Sequence, residues 1–213
     1  MMKSIGLGFR AQKGGSVVVA VAMDKREPHV LFSTFLTTAA EGAPLSLEPY
    51  HIAAGMKRGP GGAPSKEAAA AVAEGRKLQD KLANTGLKDI VRQLTKMGYE
   101  PAVAALLVNR AGWVTDLLGY SLAFADHPPV AEGLAVRDAL RFALARQKIV
   151  IAEMDEKSLH DVASKALALE PNLIDARLKA IGASAKPWRK EQKLACLAAW
   201  VAVAGRHDDK RKL

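Results

Sequence analysis

Three stretches near the start of the chain are rich in apolar and β-branched residues and are separated by short polar segments. They cover residues 4–11, 16–23 and 29–37. Such residues favour extended backbone, and the two glycines between the first and second stretches supply the positive φ angles of a tight hairpin. The pattern predicts an antiparallel meander of three strands. The second stretch contains VVVAVA without a polar interruption, which predicts that both of its faces are buried.

The next part of the chain predicts a loop, a helical region and a strand. Residues 39–64 are rich in turn-forming residues and predict a long loop. Ser65 is placed as the N-cap of an alanine-rich helix, and apolar residues then recur at helical spacing up to Gly98. Gly86 interrupts this pattern and predicts two separate helices. Residues 101–109 are a short apolar run, which predicts a buried strand.

The second half of the chain continues the alternation of predicted strands and helices. Residues 120–125 (YSLAFA) predict a short strand, and residues 148–155 predict another. Helical patterns surround the latter, and the last helix is predicted to begin at Pro187 and to end at Gly205. Strands separated by helices imply parallel pairing through right-handed crossovers. The predicted fold class is therefore α/β.

The composition is typical of a globular protein and limits its surroundings. The chain has 213 residues, of which 49% are apolar and 25% charged. We assign residues 1–205 to one domain and residues 206–213 to a basic tail. No apolar run reaches the roughly 18 residues that cross a bilayer, and no secretion signal is recognised. Cys196, the single cysteine, lies in an apolar helix and fits a reducing compartment, so we expect a cytoplasmic protein that does not bind membranes.

The net charge adds a class of partner. The formal charge is +9 and the pI is about 9.7. An excess of this size attracts polyanions, which include nucleic acid and acidic proteins. The positive charges are dispersed along the sequence, so charge alone does not choose between these partners.

The order of the predicted elements resembles that of the ribonuclease H-like superfamily over residues 4–204. Within it, the chain looks most similar to bacterial Holliday-junction resolvases. IGLGFR (residues 5–10) is similar to the first strand of that family, residues 101–109 to the fourth strand, and residues 189–204 to the final helix. The resemblance implies a ribonuclease H-like fold, and since family resolvases act as dimers, it also implies a homodimer.

The chemistry that the resemblance implies is metal-assisted phosphodiester hydrolysis, in which clustered carboxylates hold two Mg²⁺ ions. The chain departs from that pattern. Gly8 stands where the first strand of the family carries an Asp, and Asn109 stands where the fourth strand ends in an acid. Asn109 and Glu191 are weak candidates for metal ligands, and no catalytic residue is identified. We expect a degenerate active site, with Mg²⁺ needed only if nuclease activity survives.

Positively charged residues lie near Gly8 and Asn109, the two positions where the acids of the family are missing. Arg10, Lys13 and Arg110 follow the first and fourth strands, and Lys186 stands among further cations before the last helix. Trp188 lies among the latter, where it could stack on a base or fasten the helix to the sheet. We hypothesise that this edge of the sheet binds nucleic acid or another anion. The candidate residues are Arg10, Lys13, Arg110, Trp188, Arg189, Lys190 and Lys193.

The sequence leaves three functional hypotheses. The first is a divergent, catalytically degenerate resolvase-like protein that binds nucleic acid or another polyanion. The second is a non-enzymatic scaffold or protein-interaction module of the same fold. The third is a relative of the sugar-kinase and Hsp70 group, which shares this type of core but requires glycine-rich phosphate-binding hairpins. Residues 8–16 (GFRAQKGGS) approximate such a hairpin only loosely.

Overall fold

The computed structural model describes residues 2–24, 27–109, 113–124, 128–183 and 185–209. The strands are β1 (Lys3–Gln12), β2 (Gly15–Asp24), β3 (Glu27–Thr37), β4 (Tyr99–Val108) and β5 (Ile151–Asp155). The helices are α1 (Pro44–Leu47), α2 (Pro49–Ala54), α3 (Lys66–Lys96), α4 (Leu117–Ala123), α5 (Pro128–Arg146), α6 (Leu159–Leu167), α7 (Pro171–Ile181) and α8 (Lys190–Asp209), with a 3-10 turn at Pro60–Gly62.

The five strands form one mixed sheet in the order β3-β2-β1-β4-β5. β1, β2 and β3 pair antiparallel, as the meander prediction requires. β4 pairs parallel with β1, and β5 pairs parallel with β4. The α/β prediction is therefore confirmed, including the change from antiparallel to parallel pairing. Because β1, β4 and β5 run in the same direction, their carboxyl ends meet at one edge of the sheet, which we call the carboxyl edge.

Helices cover both faces of the sheet. On one face, Val18 and Ala20 of β2 pack in a core with α3 and α5. On the other face, Val17, Val19 and Val21 pack in a second core with α6, α7 and α8. This alternation confirms that β2 is buried on both sides. A smaller apolar cluster under α2 and α4 extends the helical layer that α3 and α5 form on the first face.

Glycines in β1 allow α8 to lie directly on the sheet. A Cβ atom at Gly8 would be 1.8 Å from the carbonyl oxygen of Ala195, and one at Gly6 would be 2.5 Å from that of Ala199. Real side-chain atoms do not approach backbone this closely, so both positions require glycine. The backbone of α8 therefore fills the space that side chains of β1 would otherwise occupy.

The predicted break at Gly86 is wrong. α3 is continuous over 31 residues, and Ser65 caps it by accepting a hydrogen bond from the backbone N–H of Ala68, as predicted. Glycine inside a helix costs only about 1 kcal/mol relative to alanine, so packing can outweigh it. At Gly86 the helix faces Leu36, whose Cγ would lie 3.2 Å from an added Cβ, and this contact with β3 favours an uninterrupted helix.

Two loop or strand predictions are also corrected. The predicted loop of residues 39–64 contains the short helices α1 and α2, which pack on α3 where Gly75 leaves room for Pro49. The predicted strand at residues 120–125 is wrong, because residues up to Ala123 belong to α4. Asp116 initiates that helix by accepting a hydrogen bond from the N–H of Gly119 at 2.9 Å.

The last two elements differ from their predicted bounds. β5 begins at Ile151 rather than residue 148, because Lys148 has a positive φ of 56° that ends α5. α8 begins at Lys190 rather than Pro187 and continues beyond Gly205 to Asp209. Gly205 has open space around it and does not need to end the helix.

Cys196 lies in the hydrophobic core between α8 and the sheet. It is fully buried in α8, and burial raises the pKa of its thiol to about 12. Across the described ranges, no helix combines the length and the apolar character that crossing a membrane would require.

Candidate functional site

Arg10 lies at the centre of the carboxyl edge. It follows Gly8 on the face of β1 that α8 covers, and its side chain reaches the start of that helix. Its Nε donates to Oε2 of Glu156 at 3.1 Å, and its Nη2 donates to Oε1 at 3.1 Å. Its Nη1 lies 3.9 Å from Oε1 of Glu191 in the first turn of α8. One guanidinium therefore neutralises the carboxylate that follows β5 and approaches the one on α8.

The position of Glu156 is fixed by the sheet itself. The backbone N–H of Glu156 donates to the carbonyl of Val108 at 2.9 Å, which continues the β4–β5 pairing by one residue. Both members of the Arg10–Glu156 pair are largely shielded, with side-chain exposures of 22% and 25%. A two-pronged guanidinium–carboxylate contact in partly shielded surroundings is among the stronger protein ion pairs. It ties the end of β1 to the end of β5.

A second arginine occupies the same edge from the opposite face. Arg137 of α5 is only 8% exposed, and its Nη1 donates to Oδ1 of Asn109 at 2.7 Å. Its Nε is buried without a hydrogen-bond partner among the described residues. Burial is the main cause that lowers the pKa of Arg137, and the nearby positive charge of Arg141 lowers it further. The oxygen of Asn109 that could have faced a cation is therefore bound to a guanidinium.

Further ion pairs connect the carboxyl edge to helices α3 and α5. Arg141 donates to Glu153 of β5 at 2.6 Å and to Asp138 at 2.8 Å. Asp138 also accepts from Arg76 of α3 at 2.8 Å, and Arg76 donates to the hydroxyl of Tyr50 at 3.2 Å. The carboxylates of Glu156, Glu153 and Asp138 are thus each engaged by arginine. Within the described ranges, no three His, Cys, Asp or Glu side chains are grouped so that they could hold a metal ion.

The start of α8 carries exposed cations, which we call the cation cluster: Lys186, Arg189, Lys190 and Lys193. None of the four forms an ion pair with a carboxylate in the described part of the chain. Gln192 completes the helix start, because its side-chain oxygen accepts a hydrogen bond from the backbone N–H of Arg189 at 3.0 Å. This is the reciprocal half of a capping box. The cations consequently project from an ordered helix start.

A cleft of about 530 Å³ opens beside the cation cluster, between α8 and the outer strands. We call it the Phe35 cleft, and its lining is formed by Gln12, Val17, Ser33, Thr34, Phe35, Pro187, Arg189, Glu191 and Gln192. Phe35 lies on the edge strand β3, directly opposite Val17, and is 46% exposed. The cleft therefore combines an aromatic surface with mostly polar walls.

The likeness to solved structures of Thermus thermophilus RuvC supports the fold. Thermus thermophilus RuvC aligns over 96% of this chain and 96% of its own, with a TM-score of 0.54 at 7% identity. T. thermophilus RuvC in complex with Holliday junction substrate aligns over 97% and 96%, with a TM-score of 0.54 at 11% identity. The yeast mitochondrial Holliday junction resolvase Ydc2 aligns over 99% and 85%, with a TM-score of 0.49 at 12% identity.

This chain has a ribonuclease H-like fold. No protein-family model and no curated protein sequence matches it. At such low identity the structural likeness establishes the fold alone. The sequence resemblance, which rested on the order of elements, predicted this fold correctly.

The ribonuclease H-like sheet brings only some of the predicted binding residues together. Arg10 and the three predicted cations at the start of α8 (Arg189, Lys190 and Lys193) lie on the same side of the sheet, at its carboxyl edge. Lys13 instead pairs with Glu48 in the connection between α1 and α2, and this hydrogen bond lowers the pKa of Glu48. Arg110 lies outside the described residues.

Trp188 has a clear structural contact. Its indole N–H donates to the carbonyl of Leu178 at 2.9 Å, and its ring covers Gly182, where an added Cβ would be 2.0 Å away. It is half-buried against the core under α8. The ring fastens the end of α7 to the start of α8, so we leave it out of the binding surface proposed below.

Sequence reasoning missed two features of the candidate site. Arg137 was not selected, because nothing around it in the sequence distinguishes a buried arginine from an exposed one on a helix. Phe35 was treated only as a strand residue. The one signal in the sequence was the position of Phe35 near the end of the third predicted strand. This position did not reveal that α8 leaves the Phe35 ring uncovered.

Proposed function

We propose that the chain is a resolvase-like protein that binds nucleic acid along the start of α8 and does not cut it. The observation that carries the proposal is the position of Arg10, whose guanidinium lies among the carboxylates of the carboxyl edge. An arginine there disfavours a divalent cation, and the cation cluster beside it favours phosphate. The T. thermophilus RuvC of the same fold was solved with a Holliday junction substrate, which supports branched DNA as the first ligand to test.

The donor set at the carboxyl edge does not fit two Mg²⁺ ions. Mg²⁺ requires hard oxygen ligands in nearly octahedral geometry, and two-metal hydrolysis needs several carboxylates around both ions. Here Glu156 is held by Arg10, and Asn109 is held by Arg137. Glu191 also lies near Arg10, and Asp155 at the end of β5 accepts a hydrogen bond from the backbone N–H of Lys157 at 2.7 Å. Binding a metal would require breaking these contacts and placing a dication beside two guanidinium groups.

The cation cluster suits phosphate for electrostatic reasons. Its members are exposed and project from one helix start, where the backbone dipole adds positive potential. Each phosphate neutralised by a lysine or arginine releases counterions, which makes affinity depend steeply on salt. The proposal therefore predicts binding that weakens strongly as the salt concentration rises.

The binding test uses two variants with the same change in charge. One replaces Arg189, Lys190 and Lys193 by Gln, and the other replaces three exposed lysines of α3, namely Lys77, Lys81 and Lys88. For a four-way DNA junction measured by fluorescence anisotropy at several salt concentrations, the first variant should reduce the magnitude of the negative slope of log K against log salt by about 2–3. The α3 variant should stay close to the unmodified protein. Equal weakening in both variants would show that only net charge matters and would overturn this surface.

Cleavage is tested separately. Incubation of the protein with the same junction and either Mg²⁺ or Mn²⁺ should leave the strands intact on a denaturing gel. Specific cleavage would contradict the degenerate site but not the binding surface. If the junction neither binds nor is cut, the scaffold hypothesis replaces this one.

Light scattering of the same samples measures the molar mass and so tests the proposed homodimer.

A further inference from the structure

The Phe35 cleft has a flat apolar surface that is held in place. The Cε1 and Cζ atoms of the Phe35 ring lie 2.7 Å from where a Cβ of Gly15 would be, so the ring packs closely on the glycine backbone. Single exposed apolar residues are common and need no explanation. This ring differs because it forms one wall of a cleft whose volume, about 530 Å³, falls in the usual range for small-ligand sites.

The charges of the cleft favour an uncharged group inside it. Arg189 and Glu191 both line it, so their charges oppose one another there. The remaining cations of the cluster, Lys186, Lys190 and Lys193, do not line it and are exposed outside. A phosphate would meet the Glu191 carboxylate inside the cleft, whereas the cation cluster outside offers it exposed positive charge. A planar heterocycle could occupy the cleft while its phosphates lie along the cation cluster.

We propose that the Phe35 cleft binds an unpaired base of a nucleic-acid strand. The base stacks on the Phe35 ring, its polar edge meets the amides of Gln12 and Gln192, and the neighbouring phosphates contact the cation cluster. The proposal rests on the nucleic-acid binding proposed above and specifies which part of the ligand it selects. Stacking on an aromatic side chain accepts any base, so the cleft distinguishes unpaired from paired nucleotides and not one sequence from another.

The test compares two fluorescently labelled oligonucleotides of equal length, an oligothymidylate and an abasic strand that has the same phosphates but no bases. The unmodified protein should bind the oligothymidylate about tenfold more tightly, in line with one stacked base. Phe35→Ala and Phe35→Leu should bring this ratio close to one, while Phe35→Tyr should preserve it. Phe142→Ala, at an exposed phenylalanine of α5 on the other face of the sheet, should leave it unchanged.

The outcomes separate the two proposals. If the unmodified protein binds neither strand, the nucleic-acid function itself fails. If it binds both strands equally, or if Phe35→Leu keeps the preference for bases, the cleft is not a base site although the phosphate surface stands. Phe35→Leu retains an apolar side chain over Gly15, so it provides the answer even if Phe35→Ala lowers stability.

Discussion

Replacing Gly8 by alanine should destabilise the protein by about 3 kcal/mol or more, because the new Cβ has no space. It would lie 1.8 Å from the carbonyl oxygen of Ala195 and 2.7 Å from its carbonyl carbon. Both are backbone atoms of α8, so no side-chain rotation relieves the clash. α8 would have to move off the sheet, which would open the core around Trp200. In a chain of this length the melting temperature should fall by about 10 °C.

The control for this prediction is Gly133→Ala. Gly133 lies within α5, and a Cβ there would meet no atom within 4 Å. Alanine lowers the entropy of the unfolded chain and favours helix, so this variant should be more stable by about 0.5–1 kcal/mol. Thermal and urea unfolding measure both changes. A Gly8→Ala protein that unfolds like the unmodified one would show that α8 does not rest on β1 as described.

The Gly8 prediction also bears on the missing acid. A Gly8→Asp variant would encounter the same clash and would also bury a charge against the backbone of α8. It should unfold more easily than Gly8→Ala and should not gain metal-dependent cleavage. In this chain Gly8 serves helix packing, and the side chain that reaches the start of α8 belongs to Arg10.

Glu132 should make stability fall as the pH rises from about 4.5 to about 7. Its side chain is 1% exposed, and its Oε1 accepts hydrogen bonds from the backbone N–H groups of Tyr50 and His51, both at 2.9 Å. Its Oε2 is buried with no hydrogen-bond partner in the described part of the chain. Burial raises the pKa of the Glu132 carboxyl from 4.5 to about 7, although the two backbone hydrogen bonds lower it.

The sign follows from where the proton is bound. Between these two pH values the folded chain holds a proton on Glu132 that the unfolded chain has released, so raising the pH favours unfolding. Glu132→Gln keeps an oxygen acceptor for both N–H groups and does not titrate. From pH 5 to pH 8 the unmodified protein should therefore lose about 2–3 kcal/mol relative to this variant.

Urea unfolding at pH 5, 6, 7 and 8 measures this difference. The matched control is Glu74→Gln, which changes an exposed carboxylate within α3. It should follow the unmodified protein at every pH. If the unfolding free energies of Glu132→Gln and the unmodified protein differ by the same amount throughout, Glu132 does not titrate in this range. The contact matters to the fold because it holds the start of α2 against α5.

The local signals in the sequence were sufficient for most elements. The apolar runs predicted the meander, the two buried faces of β2, and β4. Ser65 capped its helix as predicted, and the order of elements predicted the ribonuclease H-like fold. The errors at Gly86 and at residues 120–125 have one cause. In each case a tertiary or capping contact, with Leu36 or from Asp116, outweighed a weak local preference.

The sequence by itself determined the elements, their order and the excess of positive charge, because helical and strand periodicity and turn residues act over a few positions. Only the tertiary structure decided what the candidate residues do. Arg10 and Glu156 are 146 residues apart in the chain, and they meet because parallel pairing aligns the ends of β1 and β5. The Phe35 cleft exists because α8 crosses β1 and β2 but leaves the outer part of β3 uncovered. Such contacts depend on where whole helices lie on the sheet, and no local pattern encodes that placement.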